Sequence, residues 1–225
     1  MKKTILLIFV LASMLTKLLS AQTVLFHENF EAPSYGDSLI TTADTLGFPT
    51  TSFKPWATST NLFNSGMRCD SNTLQPLKTI YLTSLPFSTV GANNVSLQFS
   101  HICKLFFADG GYVEVSNDNG ITWYTLTITQ YQDSGIMIQN RFCENAYNQW
   151  LPGDTITKPT NSWWKTEHFD ISSLTLNSPN VKIRFRYFTT GATGSAGRYG
   201  WLIDDVKVYK TSASQYTVST NGFPF

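Results

Sequence analysis

Val181-Lys182-Ile183-Arg184-Phe185-Arg186-Tyr187-Phe188 alternates without a break, with apolar residues at 181, 183, 185 and 187 and basic ones at 182, 184 and 186. A period of two marks a strand with one face in a core and the other in water. After a Gly-, Ala- and Ser-rich passage at 189–199, β-prone sequence resumes as Gly200-Trp201-Leu202-Ile203-Asp204-Asp205-Val206-Lys207-Val208-Tyr209. Two adjacent carboxylates stand there in an apolar segment with no cation before Lys207. A charge withdrawn from water needs a partner, so either a bound cation or basic groups from elsewhere in the fold are expected beside them. Strand alternation sends Asp204 and Asp205 to opposite faces, so only one is expected to ligate directly through its side chain.

Working outward, the same reading gives strands at 79–82, 95–102, 111–116, 122–126 and 165–170, with 24–30 opening the domain. Between that first strand and about Asn64, a Pro-, Ser-, Thr- and Asp-rich passage reads as a long ordered loop. Asn117-Asp118-Asn119-Gly120 is a hairpin signal, because Asn-Gly readily takes the positive φ that a tight turn requires. Repeated strands, no convincing helix and no internal repeat point to an all-β fold, a two-sheet antiparallel β-sandwich of jelly-roll type.

Residues 1–21 have the layout of a signal peptide: Lys2 and Lys3, an apolar run at 5–15, and Ser20-Ala21 at the expected cleavage site. Ser13, Thr16 and Lys17 interrupt the apolar run, which is too short for a permanent span. The expected organisation is this signal, one domain at 22–210, and a C-terminal tail or start of a linker at 211–225. Lys2, Lys3 and Lys17 fall in the signal, so in the mature domain the 15 acidic residues outnumber the basic ones. That balance argues against nucleic acid and anionic membranes as partners, and no membrane insertion is expected. Charged residues make up 14% of the chain, against about 25% in an average domain, a composition in keeping with extracellular β-proteins.

Cys69, Cys103 and Cys143 enter an oxidising compartment, where one disulfide and one thiol is the simplest arithmetic. The pairing stays open, with Cys103–Cys143 preferred because each lies beside aromatic sequence. A metal–thiolate site is disfavoured by the distance between these cysteines along the chain and by the presence of only three histidines.

Catalytic patterns are thin. His27, His101 and His168 fall on three separate strands, and no G-x-S-x-G, H-E-x-x-H or glycine-rich phosphate loop is present. Glu167 with Asp170, or Asp109 with Glu114, could pair as acid and base, but 15 acids offer many such pairs. The run from Ser116 to Trp123 matches the Asp-box pattern S-x-D-x-G-x-T-W, frequent in sialidases. It occurs once, on a chain without repeats, so a structural turn with Asp118 bonded to the loop backbone is expected. Binding has more support. Tyr147, Trp150, Trp163 and Trp164 cluster around a Pro-, Gly- and Thr-rich surface segment at 151–162, where rings could stack on sugars or anchor a protein interface. The competing reading is that some of these rings cover the edge of the sandwich, at least one of the adjacent Trp163 and Trp164 among them.

An opening strand ending in Asn29-Phe30-Glu31, the penultimate Val-Lys-Ile-Arg-Phe-Arg strand and the closing Gly-Trp-Leu-Ile-Asp-Asp-Val together resemble the MAM-like and galactose-binding-like (concanavalin-like) jelly rolls of secreted bacterial surface proteins. The resemblance extends over nearly the whole mature chain. It implies that the first and last strands are neighbours and that acids on them hold a structural Ca²⁺, bringing Glu28 or Glu31 to Asp204 or Asp205. Calcium takes roughly six to eight oxygens and would relieve repulsion among converging acids. The alternative is that these acids are solvated or pair with Arg184, Arg186 or Arg198. The expected function is a non-catalytic, secreted adhesion or carbohydrate-binding module, with an extracellular glycan or cell-surface protein as partner. The alternatives are an accessory domain of a secreted hydrolase, peptidase or glycosidase, whose catalytic part is absent from this chain, and a structural spacer in a surface assembly.

Overall fold

The computed structural model describes residues 22–31, 39–43, 56–62, 64–69, 79–191, 194 and 198–211. The expected signal at 1–21 and nearly all of the expected tail lie outside them. The strands are β1 (Gln22–Glu28), β2 (Leu39–Ala43), β3 (Trp56–Leu62), β4 (Asn64–Cys69), β5 (Thr79–Ser84), β6 (Asn94–Lys104), β7 (Gly110–Ser116), β8 (Tyr124–Thr125), β9 (Lys165–Asp170), β10 (Lys182–Phe188) and β11 (Gly200–Thr211). Among the described residues, helix is confined to one turn, α1 (Ser172–Thr175), and short 3₁₀ turns. No helix among the described residues is long and apolar enough to cross a membrane.

All the strand pairings are antiparallel. One sheet runs β3-β4-β11-β6-β9, with β1 also paired to β11, and the other runs β2-β5-β10-β7-β8. The chain is therefore an all-β, two-sheet sandwich. Its opening strand lies against its closing one, Gln22 opposite Thr211 and Glu28 opposite Val206. The passage read as a long loop contains β2 and β3 and runs into β4. Asn64-Ser-Gly-Met-Arg-Cys has little intrinsic β preference; pairing with β3 and β11 makes it a strand.

The alternation at 181–188 holds. Ile183, Phe185 and Tyr187 are buried between the sheets, and the residues between them face outward. Phe185 meets Phe99 of the facing sheet edge-on at 5.0 Å between centroids and Trp201 at 5.8 Å. Each such side chain contributes about 1.5–3 kcal/mol by leaving water.

The Asp-box run is a turn. The Asp118 carboxylate accepts from Ser116 Oγ at 2.7 Å, from the Ile121 amide at 3.1 Å and from the Thr122 amide at 2.9 Å, while the Trp123 indole donates to Gly120 O at 2.9 Å. Gly120 takes φ +91° and Asn119 +62°, the left-handed values the sequence called for. These donors hold the Asp118 carboxyl at a pKa of about 2, Ser116 contributing most. A depressed folded pKa means that the turn's electrostatic support is complete above about pH 4 and is lost as the pH falls through 2. Carboxyl-carbon NMR titration should give Asp118 a midpoint near 2, and a midpoint near 4 would show that the donors do not hold it.

Cys103 and Cys143 are both buried free thiols, so the preferred disulfide is not formed. Burial pushes both thiols above their ordinary pKa and leaves little thiolate to react. Cys69 is placed opposite Trp201 in the sheet, but its side chain lies outside the described residues.

Candidate functional site

The Asp204-Asp205 pair interrupts the closing strand. On β11, Asp204 is opposite Ser100 and the next register pair is Lys207 with Gln98, so two residues of β11 face one of β6. Asp205 takes φ +45° at this bulge. Without the extra residue, alternation from the buried Trp201 and Ile203 would drive the Asp205 carboxylate into the core. With it, Val206 and Val208 take the inward positions. Asp204 and Asp205 thus line the same cleft rather than opposite faces, which corrects the expectation from strand geometry.

The bulge also marks a change of neighbour along β11, from β4 at Ile203 to β1 at Val206. Beyond β1 the chain turns at Phe30, φ +57°, which is fully buried. Glu28 Oε1 accepts from the Phe30 amide at 2.7 Å, and Asn29 Oδ1 from the Glu31 amide at 3.2 Å, fixing that turn. Asn29, Glu31, Ser100, Trp164, Asp204 and Asp205 line a cleft of about 390 Å³ on the outer face of the six-stranded sheet. Glu28 is 1% exposed and does not line it.

Basic groups reach Asp205. His27 Nε2 is 2.7 Å from Asp205 Oδ1, and Lys207 Nζ is 3.6 Å away. Arg184 and Arg186 pair with Glu114, and Arg198 with Glu144. The cleft acids Asp204, Asp205 and Glu31, with the Asn29 amide and the Ser100 hydroxyl, are oxygen donors, the set that suits a hard cation. Among the described residues, no three or more His, Cys, Asp or Glu side chains are grouped so that they could hold a metal ion as they stand.

The four aromatic candidates divide. Trp150 is fully buried and Trp163 is 8% exposed, so neither presents a ring to a ligand. Trp150 donates its indole N–H to Trp163 O at 2.9 Å and packs edge-on against His101 and Tyr147. Beneath it, buried Lys104 donates to Trp150 O at 2.6 Å and Leu151 O at 2.7 Å, with burial lowering its pKa. The segment 151–162 is therefore a surface excursion pinned at both ends by core tryptophans. Tyr147 and Trp164 remain partly exposed, and Trp164 lies in the acidic cleft.

The proposed acid–base pairs do not share a site. Glu167 is fully buried between the sheets, while Asp170 accepts from the Ser172 amide at 2.9 Å. Asp109 accepts from the Thr190 amide at 2.8 Å, and Glu114 lies between two arginines on the outer face of the other sheet. Sequence reasoning missed the pairing of His101 with Glu167, Nε2 to Oε1 at 2.8 Å. The signal was there: His101 is in phase with Leu97 and Phe99, and Glu167 with Phe169, so both point into the core.

No protein-family profile matches the chain, and no curated protein matches it. Similar solved structures include the K1 and K3 cleaved adhesin domains of Lys-gingipain from Porphyromonas gingivalis W83. K1 is 14% identical with a TM-score of 0.44, over 84% of this chain and 97% of that one. K3 is 15% identical with a TM-score of 0.45, over 84% and 100%. Another is Caldicellulosiruptor saccharolyticus CBM27-1 in complex with mannohexaose, 13% identical with a TM-score of 0.45, over 87% of this chain and 99% of that one. Nothing about this chain's ligand follows from likeness at that level.

Proposed function

We propose that the chain is an exported, non-catalytic module that binds an extracellular glycan at the cleft between the β1 turn and the β11 bulge. The observation that carries this reading is the partly exposed Trp164 ring set beside Asn29, Glu31, Asp204 and Asp205 in one cleft. An indole accepts the apolar face of a sugar ring, while carboxylate and amide oxygens accept hydrogen bonds from its hydroxyls. Calcium is a further part of this proposal: Glu31, Asp204 and Asp205 would have to draw together around the ion as it binds, with the Asn29 amide as a further donor. Glu28 would act from behind by holding the Phe30 turn. Calcium would supply charge balance and order to the acids. Adhesion to a cell surface follows if the glycan is displayed there.

Calcium added to chelated protein should raise the melting temperature by several degrees, since an ion that binds only the folded state stabilises it by mass action. Asp204→Ala or Asp205→Ala should abolish the rise, and the absence of any rise in the unmutated protein removes calcium from this reading. In titrations against extracellular polysaccharides with Ca²⁺ present, Trp164→Ala should weaken binding ~10-fold or more. Equal binding by that variant would move the glycan elsewhere.

A further inference from the structure

The outer face of the five-stranded sheet carries a layer that neither the core nor the cleft uses. Arg184 and Arg186, two apart on β10, each donate Nε–H to the same carboxylate, Glu114, at 2.5 and 2.8 Å. Glu114 is 4% exposed, whereas the arginine side chains are 18% and 21% exposed. The Arg184 guanidinium stands between two rings, its carbon 4.0 Å from the Trp123 centroid and 4.4 Å from that of Tyr81, and Arg186 lies 3.8 Å from Tyr112. Each guanidinium is thus fixed by an ion pair and by stacking, and no acceptor among the described residues takes the Nη hydrogens. Lys182 shares this outward face two residues before Arg184, outside the ion pairs, in a domain whose mature chain leans acidic.

We infer that this face is a second binding surface, for a polysaccharide bearing carboxylate groups such as a uronic-acid polymer. The guanidinia cover faces of the rings, so the surface offers few free ring faces for stacking a neutral sugar or a nucleic-acid base. It presents guanidinium N–H groups and positively polarised ring edges, a set that favours anionic acceptors. A planar guanidinium held in place binds a carboxylate bidentately with little further ordering, which a mobile lysine cannot do. The two forks lie about 7 Å apart along the strand, on a sheet face suited to a ligand whose charge repeats. This surface is on the opposite sheet from the cleft, and its charge selects acidic rather than neutral sugars.

The test is calorimetric titration of the mature chain with a short galacturonate oligosaccharide and with its methyl ester, in which the carboxylates are neutral. The acidic oligosaccharide should bind with an affinity that falls as salt rises, and esterification should weaken it at least tenfold. The double variant R184K/R186K keeps two cations against Glu114 and should lose at least fivefold, while Ile156→Ala, at an exposed position outside both surfaces, should bind as the unmutated protein does. If the lysine pair disturbs folding, Lys182→Gln, which lies outside the ion pairs, should lose about threefold by the loss of one screened charge. Equal binding of the ester, no loss in R184K/R186K and K182Q, or tighter binding of single-stranded DNA at the same salt would each overturn the inference. Loss in Trp164→Ala alone would instead place acidic sugars in the cleft.

Discussion

Replacing Glu167 by alanine should lower the stability of the domain by about 3–5 kcal/mol, the cost of removing one member of a buried, fully engaged polar network. Glu167 Oε1 accepts from His101 Nε2 at 2.8 Å and from the Tyr147 hydroxyl at 2.9 Å, and Oε2 accepts from the Tyr131 hydroxyl at 2.5 Å. On the far side of the imidazole, the Trp201 indole donates to His101 Nδ1 at 3.1 Å. An indole N–H can only donate, so Nδ1 bears the lone pair and the ring proton sits on Nε2, facing the carboxylate. His101 is therefore neutral and Glu167 carries the charge. Alanine would leave the imidazole N–H without an acceptor in the core and the Tyr131 and Tyr147 hydroxyls, 3.3 Å apart, to pair with each other.

The same network sets a pH dependence. Burial alone would raise the Glu167 carboxyl, but its interactions with His101, Tyr131 and Tyr147 together outweigh it and leave the pKa below the ordinary value. Because the folded pKa is the lower one, Glu167 contributes its stability above the unfolded value of about 4.3, and that contribution disappears as the pH falls through the folded value. Denaturant unfolding at pH 7 and pH 3 should show the unmutated protein losing stability on acidification. Glu167→Gln should be weaker at pH 7 and less sensitive to the change, because an amide does not titrate in this range. A glutamine variant with the same acid sensitivity as the parent would assign that sensitivity to other carboxyls.

Trp201→Ala should cost about 3–5 kcal/mol, the range for emptying an aromatic site in a packed core. Trp201 is fully buried on the central strand β11, and its ring lies directly on Gly111 of the opposite sheet. A methyl group at Gly111 would come within 2.8 Å of the ring. Gly111→Ala should therefore also destabilise, since the obstacle is a rigid ring. Combined with Trp201→Ala it should cost less than the sum, because the cavity admits the new methyl. Urea unfolding of the two single variants and the double closes this cycle. Strict additivity would show that the two residues do not share that space. Trp201→Phe should fall in between, keeping bulk but removing the donor that fixes the His101 tautomer.

How legible each feature was depends on how local its cause is. The strands at 165–170 and 182–188 follow from alternation within single segments, and the turn at 117–120 from the positive φ of Asn119 and Gly120. The apposition of first and last strands was reached through resemblance, and the register from Gln22–Thr211 to Glu28–Val206 shows it. The strands at 39–43, 56–62 and 64–69 were missed: the first two carry β-prone Ile40, Thr41, Thr42, Trp56 and Thr58 but are short and set in Pro-, Ser- and Asp-rich sequence, and at 64–69 the partners impose the extended form. Trp150 and Trp163 read as surface because they flank polar loop sequence, but a buried lysine and an indole hydrogen bond draw them inward.

By itself, the sequence determined the class of fold, the identity of most strands and, at 181–188, the face turned to the core, because side-chain periodicity is a property of neighbours in the chain. Only the tertiary structure decided that both aspartates line one cleft, that His101 finds Glu167, and that Arg184 and Arg186 share Glu114 between aromatic rings. Each of these depends on register between strands far apart in sequence, and a single extra residue at Asp205 suffices to reverse which way a carboxylate points.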